Sequence, residues 1–296
     1  MLTFTLLGQA ALAKDGAPLS RFRSRKEVAL LIYLAHAGQA QPRDFLSDLL
    51  WDSHSTQQSL ANLRTVLTRL RQQVDDELLV TPRAVALANP PAVDSARLLQ
   101  TLAAIGQVDS EAKAATLHSA LTAYCGDFLA DFHLADAPRF TTWLVATREH
   151  IRRQVIAAYD RLGQYALSAD VDEGLAIACD WLQVEPLHET AHSLLIELLL
   201  KAGRTREAED HYDYHVERLH QELGVEPPAR MTALTQTVRQ RRALPLPQPA
   251  VRHNLPAAHD QFFGRQTIRQ EIHARLDQPW CRLVPLVGQG GAGKTR

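Results

Sequence analysis

The sequence is poor in cysteine: Cys125, Cys179 and Cys281 are its only three, far apart and with no C-x-x-C pair. That excludes a disulfide framework and suits a reducing compartment. Long apolar runs are missing as well. The longest, "VALLIYLA" and "SLLIELLL", fall well short of the roughly 20 residues a membrane-spanning helix needs. The first residues, "MLTFTLLGQAALAKDG", lack a basic start and meet Lys14 and Asp15 early, so no signal peptide is expected. Charge of one sign is also lacking. The net charge of −1 gives no global attraction to nucleic acid, so any basic patch must be local. What remains is a chain of ordinary globular composition, 46% hydrophobic and 22% charged, with a length that suits two domains. A cytoplasmic protein without a membrane partner is expected.

Three textures follow one another. Residues 1–91 open with extended runs in "LTFTLLGQAALAKDGAPL", separated by a "KDG" turn, and continue with three helical patterns. They close with "ELLVTPRAVALANPP", two short apolar runs around Thr81-Pro82-Arg83 that predict a small hairpin. Residues 92–242 are helical almost without break, with Gly and Pro as punctuation. "EGLAIACDWLQVEP" from Glu173 and "EAEDHYDYHVERLHQELGVEP" from Glu207 stand about one tetratricopeptide period apart, which predicts paired antiparallel helices in a short solenoid. Residues 243–260 carry Pro245, Pro247, Pro249 and Pro256, as an interdomain linker does. In 261–296, "QFFGRQTIRQEIHARL" predicts a short helix ahead of a buried strand, "CRLVPLVG".

The third N-terminal helix, "STQQSLANLRTVLTRLRQQV" (55–74), carries the most informative chemistry. Its stripe of Leu60, Leu63, Leu67, Leu70 and Val74 predicts an opposite face of Gln58, Asn62, Thr65, Arg69 and Gln72, with Arg64, Thr68 and Arg71 on the flanks. No Asp or Glu lies between Asp52 and Asp75. Such a face suits the major groove, where Arg pairs with guanine, Asn and Gln with adenine, and Thr meets the thymine methyl. A solvated face that merely lacks acids is the alternative. Strands, three helices and a hairpin with Arg83 at its tip are the order of a winged helix. Arg25 and Lys26 at the start of the first long helix, and Arg43 at the start of the second, are candidate phosphate anchors.

Over residues 2–240 the sequence resembles SARP-type bacterial transcriptional activators. The segment "SRKEVALLIYLAHAGQAQPRDFLSDLLWDSHSTQQSLANLRTVLTRLRQQV" resembles their OmpR-like winged helix. "YCGDFLADF", "FTTWLVATREHIRRQ", "CDWLQVEPLHETAHSLLIELLLKAGRTREAEDHY" and "LHQELGVEPPARMTAL" resemble their tetratricopeptide-like bacterial transcriptional activator domain. The strand segment "LLVTPRAVALANPP" departs from the family in being shorter. The resemblance implies a mainly α protein with an α+β winged helix-turn-helix, promoter DNA with direct repeats as target, RNA polymerase as partner, and a homodimer on DNA. The alternative is a tetratricopeptide-like interaction or scaffold module without direct DNA readout.

"LVGQGGAGKTR" matches the phosphate-binding loop G-x-x-x-x-G-K-[ST] at Gly288, Gly293, Lys294 and Thr295. Together with "FFGRQTIRQEI" it resembles the entry to a STAND- or AAA-like ATPase, in which Lys294 meets the terminal phosphates and Thr295 the magnesium. The expectation is the truncated α/β start of that domain, with ATP and magnesium required only by a complete ATPase and no enzymatic activity or cofactor in these 296 residues. Two histidine pairs complete the inventory. "HETAH" (188–192) fits the zinc-protease spacing but has no third ligand after it, and His211 and His215 in "HYDYH" share one helical face. The first pair is expected to belong to the repeat and the second to a polar helix surface, with no metal.

Overall fold

The computed structural model describes residues 1–227, 231–234, 236, 270–272 and 274–275. Contact clustering separates residues 1–244 from residues 245–296. The phosphate-loop residues Gly288, Gly293, Lys294 and Thr295 and the whole Pro-rich segment 243–260 lie outside the described residues. Residues 270–272 and 274–275, within the short helix expected after the linker, are helical.

Strand β1 (Leu2–Thr5) buries Leu2 and Phe4 and exposes Thr3 and Thr5, the alternation of a sheet with one wet face. It pairs antiparallel with β2 (Ala11–Lys14), which turns into β3 (Ala17–Pro18). Asp15 and Gly16 both take positive φ, 51° and 79°, as a tight two-residue hairpin turn demands. Helices α1 (Arg25–Ala37), α2 (Arg43–Trp51) and α3 (Thr56–Val74) follow, with the short strand β4 (Gln41–Pro42) before α2. The wing is the hairpin β5 (Leu78–Val80) and β6 (Ala84–Leu87), in a three-stranded sheet of order β4-β6-β5. A mainly helical chain with a small β part at its N-terminus is thus observed.

The helical part runs through α4 (Asp94–Ala104), α5 (Glu111–Thr122), α6 (Pro138–Ala166), α7 (Val171–Val184), α8 (Glu189–Lys201) and α9 (Thr205–Leu223). From α6 to α9 each helix packs on the next, as stacked helical hairpins do. Tyr159 of α6 stacks on Trp181 of α7, with centroids 5.9 Å apart and planes 9° from parallel. Gly163 shows how close α6 and α8 come: a Cβ there would lie 2.7 Å from Leu194 Cδ2.

The two parts are sewn together. Strand β7 (Ala92–Val93) leads into α4 yet pairs parallel with β1 in the N-terminal sheet. The Asp94 carboxylate accepts the backbone N–H groups of Leu6, Leu7 and Ser95 at 2.7–3.0 Å. Residues 127–130 of "YCGDFLADF" bond along 6–8: Gly8 N–H donates to Asp127 (3.0 Å), Leu129 N–H to Leu6 (2.7 Å) and Ala130 N–H to Gly8 (3.0 Å). Arg148 holds this segment from behind, its Nε donating to the Phe128 carbonyl at 2.7 Å. The Phe128 ring, fully buried, meets His36 of α1 and Trp143 of α6. Helix α1 therefore lacks the single apolar face of Val28, Leu31, Ile32 and Leu34 or Ala35 that its periodicity suggests. Ala29, Leu30, Leu31, Ile32, Leu34 and Ala35 are all buried while Val28 is half-buried, because α1 is covered both by its own domain and by the helical module. Among the described residues, no helix is long and apolar enough to cross a membrane.

Candidate nucleic-acid interface

Helix α3 starts on Ser55, whose side chain accepts from Gln58 N–H, and its first turn holds no acid. Ser59, Leu63, Val66, Leu67, Leu70 and Val74 form the buried side. The exposed row runs through Gln57, Ala61, Arg64, Thr68, Arg71 and Gln72, with Gln58 and Thr65 beside it. This corrects the face expected from the leucine stripe. Arg64 and Thr68 lie at its centre rather than on its flanks, while Asn62 and Arg69 are half-buried at its edge. The reason is Val66, which the stripe omits and which stands opposite the exposed row. Ser59 joins it inside by donating its hydroxyl to the Trp51 carbonyl at 2.9 Å. Thr65 and Thr68 return their hydroxyl protons to Ala61 and Arg64 carbonyls (3.1 and 2.9 Å), leaving methyl groups and lone pairs for a base edge.

The wing gathers arginines. Arg43 donates its backbone N–H to the Arg83 carbonyl (2.9 Å) and its Nη1 to the Thr81 carbonyl (3.3 Å). Arg71 of α3 reaches the Val80 carbonyl with Nη2 at 3.4 Å. Arg83 is exposed at the tip, which Thr81 braces through paired bonds with Ala84. Among the described residues, no ion pair engages Arg43, Arg64, Arg71 or Arg83. Their charge is thus open to phosphate. Arg71, expected only on the flank of the reading face, stands within its exposed row, because buried Val66 turns the face toward it.

The other edge of α3 borders a groove of about 630 Å³ shared with the helical module. Asn62, Thr65 and Arg69 line it, facing His133–Asp136. Arg25 and Lys26 lie here as well, away from the wing arginines. Arg25 Nη1 donates to the His133 carbonyl (3.1 Å), and Lys26 Nζ pairs with Asp136 at 2.9 Å while lying over the Trp51 ring. Lys26 holds the Asp136 carboxyl below its usual range. Arg139 binds Asp48 at 2.7 Å, and its N–H donates to Asp52. Asp48, Asp52 and Asp136 at this edge are therefore occupied by cations or amides of the seam. Arg69 sits 3.4 Å from Glu27, a carboxylate with 0% exposure that also accepts Arg23 N–H at 3.0 Å.

The "HETAH" pair separates, and "HYDYH" is not the polar surface expected of it, since His215 is fully buried between α8 and α9. His188 lies against Trp181, while His192 turns to the Pro186 carbonyl and to His211.

The helical module matches the bacterial transcriptional activator domain, over residues 93–239. "Regulatory protein AfsR" of Streptomyces griseus is 26% identical over 99% of this chain, and the protein of the same name from Streptomyces coelicolor is 28% identical over 99%. The chain spans only 31% and 32% of the length of these relatives. A solved structure of Mycobacterium tuberculosis EmbR, in complex with a low affinity phosphopeptide, superposes with a TM-score of 0.59. It is 20% identical and covers 81% of this chain and 65% of that one, a likeness of fold. This chain is thus similar to the AfsR regulatory proteins, and its helical module to the bacterial transcriptional activator domain.

Proposed function

We propose that this chain activates transcription by docking α3 in the major groove of promoter DNA, with the wing on the adjacent backbone. The carrying observation is the acid-free row through Arg64, Thr68, Arg71 and Gln72, continuous with the unpaired arginines at the wing. Arg64, Thr65, Thr68, Gln58 and Gln72 read bases, with Asn62 and Arg69 at the margin. Arg43, Arg71 and Arg83 neutralise phosphates and set the register. Arg25 and Lys26 serve the seam that presents α3, and reach phosphates only at the edge of the groove they line.

Two protomers on direct repeats, contact between the activator domain and RNA polymerase, and a cytoplasmic site of action complete the proposal. The phosphate-loop motif at Gly288–Thr295 is the start of an ATPase module that takes ATP and magnesium when complete. Selection of bound sequences from random duplexes by the full chain tests the central claim. Enrichment of a defined site, with affinity falling steeply as salt rises, supports it; no enrichment overturns it.

A further inference from the structure

The activator domain contains a group of side chains that DNA docking leaves unused. His192 of α8 and His211 and His215 of α9 meet where the two helices pack. His215 is 0% and His192 3% exposed. Their rings stack with centroids 3.5 Å apart, and His211 lies 5.0 Å from His192 on the same stack. The bonding assigns the protons. His192 Nε2 is 3.0 Å from the Pro186 carbonyl, which only accepts, so Nε2 carries the hydrogen. Neutral His192 then has a bare Nδ1, and His211 Nε2 at 2.8 Å donates to it. Both nitrogens of His215 are buried without a partner.

A proton added to His192 would turn its Nδ1 acceptor into a donor facing another donor. It would also place a buried cation against a stacked imidazole. Among the described residues, the hydrogen-bond partners of the trio include no carboxylate. The charged side chain of α9 acting on both His192 and His215 is Arg218, another cation, itself held by Glu222. Glu185, Asp160 of α6 and Glu189 act instead on His188.

We propose that the three histidines form an acid-sensitive latch on the α8–α9 hairpin, closed when all are neutral and released by protonation. Burial pushes His192 down to about 3 and His215 down to about 4, and lowers His211 as well. Histidines of the opened hairpin regain a value near 6.5. The latch is therefore at full strength above that value and is lost as pH falls from there toward the lowered values. Each locked histidine favours the open state by up to about tenfold per pH unit in that window.

Hydrogen exchange on the full 296-residue chain, corrected for intrinsic rates, tests this between about pH 7 and pH 5. Protection of α8 and α9 amides should fall at least tenfold more than that of α3 and α4, which carry no histidine, and His215→Phe should reduce the difference. Equal pH dependence in all four helices, or one unchanged by His215→Phe, overturns the latch. If that variant does not fold, side-chain NMR of the parent protein decides. Neutral His192 and His215 at about pH 5 support the proposal, and titration of either near 6.5 in the folded state refutes it.

Discussion

Arg64 and Arg69 are five residues apart on α3, and the structure gives them opposite duties. Arg64 is exposed and without an ion pair, so its truncation should change stability by no more than about 0.5 kcal/mol. As a base reader it should contribute about 1–3 kcal/mol of discrimination, roughly 5- to 150-fold in affinity, confined to one position of the site. Arg69 neutralises Glu27, which is 0% exposed and, among the described residues, otherwise keeps only the Arg23 amide. Removing a partner from a wholly buried pair costs about 3–5 kcal/mol. Arg69 is 37% exposed and 3.4 Å away, so solvent and distance reduce the expected loss to roughly 1–2 kcal/mol. Urea melts and fluorescence anisotropy with a selected duplex, on Arg64→Ala and Arg69→Ala side by side, separate the two effects. The reasoning fails if Arg64→Ala binds as the parent does while Arg69→Ala keeps its stability and loses base preference. That outcome would turn the reading face back toward Asn62 and Arg69.

Arg71→Ala should weaken binding to all sequences alike and lower the salt slope by about one, measured by titration from low to physiological salt. Phe128→Ala removes a fully buried ring between α1 and α6 and should cost about 3–5 kcal/mol in a denaturant melt, disturbing both modules together. Lys26 keeps the Asp136 carboxyl below its usual value of 3.8, so this contact contributes fully at higher pH and is lost as pH falls through the lowered value. In Asp136→Asn, acid melts between about pH 5 and pH 3 should lack that component.

Much of this protein was legible in the residue order. The helix expected over 55–74 and the hairpin around Thr81-Pro82-Arg83 depend on interactions within a few residues, so they fall where the sequence places them. The acid-free stretch of α3 and the repeat carried by α7, α8 and α9 were equally plain. The direction of the α3 face was harder. Five leucine and valine positions define a stripe, but one more buried residue, Val66, turns it, and burial depends on which neighbours arrive from elsewhere.

The spacing "HETAH" and "HYDYH" brought four histidines to notice without saying that three of them would stack on one another. That depends on how α8 crosses α9. Local propensity and apolar periodicity, both short-range, thus determined the helices, the wing and the repeat from sequence alone. The seam through Phe128 and Asp94, the pairing of Arg69 with Glu27, the contacts of Arg43 at the wing and the histidine latch join residues from different elements, 19 or more positions apart. Tertiary packing, within each module and between them, decided those, because no side chain carries information about a partner it meets only after the chain has folded back.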